Sequence, residues 1–471
     1  MQRLLDSGEG EFLAMYGRRR VGKTFLIREF FEPRSRYFEL IGERDAPLAG
    51  QLANFIRAFE STFGTIKADT RAPLSWREAM QLLANTIDRS WEGTKPVVIF
   101  FDELPWLASR KSRFMDALDH FWNSWGSRKK NLVLVVCGSA ASWMINKLID
   151  AKGGLHNRVT EQIPLMPFTL AETEEYLSSR GVNLVRKDVL ELYMALGGVP
   201  YYLRQVKQGR SVAQAIDALC FAPGATLADE FGRLFASLFS GSEAHMAVVR
   251  ALAKKRCGVT RGELSESSEL PTGGGLTRVL DELEKSGFVR QETPFGRRAR
   301  GTLYRLIDEY SLFYLSWIEG VRGAKDGYWI TQHGSRKWSA WAGFSFEGLC
   351  LKHVAQLKSA LGIGAVNTTQ SGWRADGAAA GKGAQVDLVI DRADNVINLC
   401  EMKFAVGEFT VTKAYADALV EKVRRFRNAT KTRKNLFVTL VTTYGAKRNA
   451  HFDAVVESEL TMDALFSISS A

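Results

Sequence analysis

Residues 17 to 24 read Gly17-Arg18-Arg19-Arg20-Val21-Gly22-Lys23-Thr24, between a short apolar run, EFLAMY (11 to 16), and the apolar-periodic FLIREFF. Strand, glycine loop and helix, in that order, are what a backbone needs to wrap a phosphate group. Gly17 and Gly22 permit conformations in which successive N–H groups point inward. The helix start adds the positive end of its dipole. Lys23 is expected to reach the β- and γ-phosphates and the Thr24 hydroxyl to ligate Mg²⁺, so all eight residues are candidate nucleotide contacts. The pattern is complete and lies between the right flanks, which sets it apart from a chance glycine turn.

A second apolar run, Pro96 to Phe101, ends in Asp102-Glu103, and a third, Leu132 to Cys137, leads into Gly138-Ser139. Uninterrupted apolar runs suit strands buried on both faces of a parallel sheet, and their carboxyl ends are where open α/β folds bind ligands. Asp102 is expected to hold the Mg²⁺ through water and Glu103 to orient the attacking water, which makes hydrolysis an expectation alongside binding. Ser139 is a candidate γ-phosphate sensor or a helix N-cap.

These segments resemble the archaeal-type ATPases of the STAND branch of AAA-like P-loop proteins. The resemblance rests on GRRRVGKT (17 to 24), IFFDELPWL (99 to 107), VCGSAASWM (136 to 144), LHNRVTEQIPLMPFT (155 to 169) and Gly197-Gly-Val-Pro-Tyr-Tyr202, and so covers most of residues 10 to 205. It implies ATP as the nucleotide. It also implies a helical lid whose Gly198-Val199-Pro200 turn brings Pro200 near the nucleotide, and Arg158 where a basic residue approaches the γ-phosphate, unless Arg158 is an ordinary surface arginine. The family's usual leading Phe-x-Gly-Arg-x-x-Glu-Leu segment, which contacts the base, is not in this sequence.

Residues 170 to 220 carry helical spacing, for instance Val189, Leu192, Tyr193 and Leu196. Three further helices are expected at His245 to Lys254, Thr260 to Ser267 and around Leu276, Val279, Leu280 and Leu283, ending before Gly287. Two β-like runs, 288 to 293 and 302 to 307, flank a basic turn containing Arg297, Arg298 and Arg300. This is the pattern of a winged helix-turn-helix. Its wing arginines are candidate nucleic-acid contacts. The third helix mixes Thr277, Arg278 and Lys285 with Asp281, Glu282 and Glu284, which opposes entry into a major groove. The alternative is a winged helix that packs back on the ATPase.

Beyond a small-residue stretch at 371 to 384, expected to be a loop, Gln385 to Ile390 and Val396 to Phe404 read as an antiparallel hairpin. If Asp391 sits opposite Ile397, Asp387 faces Glu401 and Lys403 shares their side. Two like charges in contact call for a divalent cation, Mg²⁺ or Mn²⁺, held by Asp387, Glu401 and the Met402 carbonyl, while Lys403 polarises a water that attacks a phosphodiester. The arrangement resembles the PD-(D/E)xK nucleases, and Glu347, on a helix expected around SFEGLCLKHV, matches the helical acid of that pattern. The segments 383 to 405 and 440 to 445 further resemble the nuclease-like domain often fused to archaeal-type ATPases. The alternative is a hairpin whose acids merely pair with Lys403. The helix expected over 413 to 427 carries Lys422, Arg424, Arg425 and Arg427, either a track for nucleic acid or a solvated face.

The fold expected is therefore α/β and multidomain: a P-loop ATPase domain (1-168), a helical lid (169-235), a winged helix (236-328) and an α/β nuclease-like domain (329-471). At 471 residues the chain can bury several cores. The 63 Lys and Arg against 52 Asp and Glu leave a net charge of +11, which favours a polyanionic partner. Nucleic acid, DNA before RNA, is the partner expected, with self-association into a homo-oligomer open. No apolar stretch is long enough to span a membrane, and the first residues, MQRLLDSGEGEF, lack the pattern of a signal peptide. The five cysteines have no paired spacing, which fits a reducing cytoplasm. Two functions fit: an ATPase controlling a metal-dependent nuclease, or a STAND-type signalling ATPase whose C-terminal domain binds DNA or protein without cutting.

Overall fold

The computed structural model describes residues 1–65, 71–90, 95–109, 111–149, 155, 157–239, 241–255, 258–297, 301–321, 327–375 and 384–467. Arg298 and Arg300 lie outside the described residues. The chain divides into two compact units, Met1–Met166 and Pro167–Ala471.

The first unit is built on five parallel strands, β1 (Gly10–Tyr16), β2 (Arg36–Ile41), β3 (Val97–Asp102), β4 (Leu132–Gly138) and β5 (Glu161–Pro164), in the order β2-β3-β4-β1-β5. Alternation along each strand feeds two cores. Phe12 and Ala14 of β1 enter one apolar cluster, and Leu13 and Met15 enter the other. Every residue of β3 and β4 is buried, because helices cover both faces. After β1 the chain passes over β4 and β3 to reach β2. The turn following β1 therefore opens at the carboxyl edge of the sheet, beside the ends of β3 and β4.

The second unit begins with helices whose starts are fixed by side-chain caps. Thr169 and Ser211 each close a capping box with the residue three places on, Glu172 and Gln214. The Gly198-Val199-Pro200 turn has a steric reason. A Cβ at Gly198 would lie 1.9 Å from the Phe168 carbonyl oxygen, and Pro200 occupies the first position of a short helix, Pro200–Leu203, where no N–H is needed. Next come three helices, Glu243–Lys254, Arg261–Ser268 and Gly274–Lys285, with an antiparallel sheet of β6 (Val259–Thr260), β8 (Leu303–Leu306) and β7 (Val289–Glu292), in that spatial order.

A second five-stranded sheet ends the unit: β9 (Thr368–Arg374), β10 (Gln385–Arg392), β11 (Val396–Lys403), β12 (Asn435–Thr442) and β13 (Ser458–Thr461), in the order β13-β12-β11-β10-β9. The meander β9-β10-β11 is antiparallel, whereas β11, β12 and β13 run parallel. The Lys413–Thr430 helix provides the crossover between β11 and β12. The expected loop at 371 to 384 needs correction. Residues 371 to 374 complete β9, because Trp373 is buried against Phe426 and Ser371 pairs with Val389; 376 to 383 lie outside the described residues.

One apolar cluster runs from the capped helices through the three-helix module to Leu388 and Cys400 of the second sheet. The β7–β8 hairpin is held there by specific contacts. The Phe295 N–H donates to the Gly372 carbonyl at 2.8 Å and its ring lies 5.2 Å from Phe426, while Arg290 donates to the Leu351 carbonyl at 2.9 Å. The hairpin thus packs on the C-terminal sheet and the Arg336–Lys352 helix. Among the described residues no helix is long and apolar enough to cross a membrane, and Cys137, Cys220, Cys350 and Cys400 are buried free thiols.

Candidate functional site

The first site lies at the carboxyl edge of the parallel sheet. Gly17 leaves β1 at φ 152°, and a Cβ there would meet the Leu165 carbonyl oxygen at 2.2 Å. Gly22, left-handed at φ 94°, caps the helix Lys23–Phe31. Arg20 is also left-handed, at φ 73°, a strained conformation for a residue with a side chain. The Lys23 ammonium is buried and donates to the carbonyls of Gly17 and Arg18, both at 2.9 Å, and to the Ser139 hydroxyl at 3.4 Å. Its charge is thereby held inside the loop. Arg18 and Val21 are buried with it, while Arg19 is exposed.

The Thr24 hydroxyl donates to Asp102 Oδ2 at 2.6 Å, joining the helix start to the end of β3. This is the pair of oxygens that a Mg²⁺ ion would draw on, one directly and one through water. Glu103 follows in the left-handed region (φ 48°, ψ 51°), and Gly42 is needed beside it, since a Cβ there would approach the Glu103 carbonyl oxygen at 2.7 Å. The Glu103 carboxylate accepts from the Ser139 hydroxyl at 2.6 Å and from the Ser139 N–H at 3.2 Å. Ser139 thus contacts both the cation and the acid, and Ala140, not Ser139, holds the N-cap position of the short helix that follows. Arg158 is exposed in a turn of the same unit. Pro200 lies in the second unit, in the turn described above.

The second site is built on β10 and β11. Asp391 pairs with Ile397 and Leu388 with Cys400, the register that sets Asp387 beside Glu401. The pairing of β10 with β9 shifts between Val386 and Val389, and such an irregularity re-aims the side chain it contains, here Asp387. Asp387 Oδ2 accepts from the Met402 N–H at 3.4 Å. Glu401, 3% exposed, pairs with Lys422 and lies 3.9 Å from the Lys403 ammonium. Burial first, then the charge of Asp387, pushes the Glu401 carboxyl up to about 6, against the pull of Lys422. Glu347 is also raised, by burial and then by Asp387, with Arg305 opposing. The three acids therefore share one electrostatic neighbourhood. Even so, no cluster of three or more His, Cys, Asp or Glu positioned to hold a metal occurs among the described residues.

Two cations of this site were not evident from the sequence. Lys422 sits in a basic helix, yet it continues the inward stripe Tyr415, Leu419, Lys422 and Phe426, whose helical spacing is the available signal. Arg305, buried in β8, donates to Glu347 Oε1 at 2.8 Å and lies 3.7 Å from Glu292. Only an arginine in the middle of an apolar strand hinted at it. Arg305→Ala is expected to destabilise the protein by about 2–4 kcal/mol, because the half-buried Glu347 and Glu292 would lose the cation between them. Urea melting checks this, and a loss below about 1 kcal/mol would refute it.

The basic turn fares differently. Arg297 is exposed, and the charges of the third helix are already engaged: Lys285 with Asp281 at 3.0 Å, and Glu282 with His245 at 2.7 Å.

Residues 1–206 match the family model of an ATPase domain found predominantly in Archaea. Across 356 residues, 75% of this chain and 74% of the relative, the sequence is 23% identical to the uncharacterized protein MJECL04 of Methanocaldococcus jannaschii. Among solved structures the chain is similar to the Walker-type ATPase PABY2304 of Pyrococcus abyssi (19% identity, 66% of this chain and 93% of that one, TM-score 0.48). It is also similar to the ORC2 protein of Aeropyrum pernix, solved in ADPNP-ADP complexes (17% identity, 67% and 89%, TM-score 0.39).

Proposed function

From the premise that residues 1–206 form an archaeal-type ATPase domain, we propose that ATP binding and hydrolysis there control a metal-dependent nuclease-like site on the C-terminal sheet, acting on nucleic acid and on DNA first. The observation that carries the ATPase half is the chain of contacts Lys23–Ser139–Glu103 beside Thr24–Asp102. Each group has the chemistry its role requires: a cation for the phosphates, two oxygens for Mg²⁺, and a carboxylate to orient water. Residues 17 to 24 would cradle the phosphates, with Arg158 of the same unit as an outlying contact.

Support for the nuclease half comes from the placement of Asp387 and Glu401 on adjacent strands, with Lys403 two residues further along β11 and Glu347 on a packed helix. These strands belong to an antiparallel meander, β9-β10-β11, from which the Lys413–Thr430 helix carries the chain to the parallel strand β12. A raised carboxyl beside a second acid is the environment in which a divalent cation relieves repulsion. Such an ion would polarise the phosphodiester and lower the pKa of a bound water. Asp387 and Glu401 would hold it, and Lys403 would orient the water. The module at 236-328 we read as a winged helix. Its docking against the C-terminal sheet favours a role in positioning that sheet over reading a groove, although Arg297, Arg298 and Arg300 could still contact phosphates.

A second reading is favoured by one specific observation: Glu401 is already paired with Lys422 and Glu347 with Arg305, so the acids are partly neutralised without metal. On that reading the chain is a STAND-type signalling ATPase whose C-terminal domain binds but does not cut. Incubating the full chain with supercoiled, linear, branched and single-stranded DNA, with Mg²⁺ or Mn²⁺ and with or without ATP, separates the two. Cleavage requiring metal supports the first; retention of DNA without cutting in every arm leaves the second.

A further inference from the structure

The Lys413–Thr430 helix turns two polar side chains toward the acid pair, and the ion pairs described above account for only one of them. Lys422 meets Glu401. Tyr415, seven residues earlier and so two turns away on the same face, buries its hydroxyl with no hydrogen-bond partner among the described residues. A buried hydroxyl left unpaired costs free energy that folding alone does not recover, and in a native protein such a group calls for a reason.

The ring is not free to swing the hydroxyl elsewhere. The Thr412 side chain caps the helix by accepting from the Tyr415 N–H at 3.3 Å. Phe409 meets the ring edge-on at 5.3 Å and 74°, and is itself tied to the segment after β12 by bonds of 2.8 Å from its N–H to the Gly445 carbonyl and from the Lys447 N–H to its own carbonyl. The Lys403 ammonium lies 5.8 Å from the ring centroid. Burial, then the charges of Glu401 and Asp387, hold the phenol well above its ordinary value, so it remains an O–H donor.

Two acids, two lysines and one donor that has no acceptor among the described residues meet at this site. An anionic oxygen is the acceptor that suits a phenol held as an O–H donor. We propose that Tyr415 is a substrate-contacting residue of the C-terminal site, its hydroxyl donating to a non-bridging phosphate oxygen of bound nucleic acid. This rests on the nuclease reading of that site. The hydrogen bond strengthens as charge builds on that oxygen during attack at phosphorus, and no proton leaves the tyrosine.

Tyr415→Phe removes the hydroxyl and keeps the ring. With the full chain, supercoiled plasmid and Mn²⁺ under single-turnover conditions, the variant should nick about a hundredfold more slowly than the wild type. Its melting temperature without metal should equal or exceed that of the wild type, and its Mn²⁺-induced rise in melting temperature should be unchanged, because both acids remain. Equal nicking by the two proteins overturns the role of Tyr415 and leaves the nuclease reading standing. Slower nicking accompanied by a lower melting temperature overturns it too, since the hydroxyl would then serve the fold. A wild type that shows neither nicking nor a Mn²⁺-induced rise refutes the nuclease reading itself, and this assignment with it.

Discussion

Lys23→Ala should lower ATP turnover by at least about a hundredfold to a thousandfold, the usual consequence of removing a preorganised charge from phosphoryl transfer. The ammonium is buried and already aimed into the loop by the Gly17 and Arg18 carbonyls, so little reorganisation is needed when phosphates replace those acceptors. Truncation leaves two carbonyls without their donor, a cost of about 1–3 kcal/mol that a melting curve would register separately from the catalytic loss. Glu103→Gln should behave differently. The amide oxygen can still accept from the Ser139 hydroxyl, so nucleotide should remain bound, yet the amide cannot serve as the base for water. Phosphate release measured beside binding of a fluorescent ATP analogue checks both variants. Turnover at the wild-type rate in both would refute the catalytic assignment of this site.

On the nuclease reading proposed above, Asp387→Asn should abolish metal-dependent cleavage while leaving the metal-free fold as stable as before, or more so. Glu401 binds its proton more tightly folded, at about 6, than at its ordinary 4.5. The folded state therefore carries more protons between those values, so this carboxyl's contribution to stability is greatest below pH 4.5 and is lost as pH rises to about 6. Above that window the penalty is about 2 kcal/mol. Part of it comes from Asp387, which the asparagine neutralises while its side-chain oxygen can still accept from the Met402 N–H. Denaturant melts in EDTA at pH 4.5 and pH 7 should show a smaller difference for the variant than for the wild type. The stabilisation conferred by Mn²⁺ should disappear, because one ligand charge has gone. Glu401→Gln is a less clean probe, since it strands the Lys422 ammonium. A variant that cuts at the wild-type rate, or melts lower at pH 7 without metal, would contradict the pairing of these acids around an ion.

The sequence by itself determined the elements whose information is local. A glycine loop between an apolar strand and a helix needs only neighbours to specify it: Gly17 and Gly22 adopt conformations that side chains resist, and Lys23 and Thr24 follow by position. The uninterrupted runs ending at Asp102 and Gly138 announced central parallel strands for the same reason, burial on both faces. The hairpin register was legible as a conditional: pairing Asp391 with Ile397, as the strands do, puts Asp387 beside Glu401. What only the tertiary structure decided were meetings between distant segments. Ser139 reaches Glu103 across neighbouring strand ends, Arg305 leaves its hairpin for Glu347, and Lys422 and Tyr415 face the acid pair from a crossover helix. Spacing cannot encode these contacts, since each depends on how one element packs on another; a lysine within a basic helix reads as solvated until the core beneath that helix shows which of its faces is turned inward.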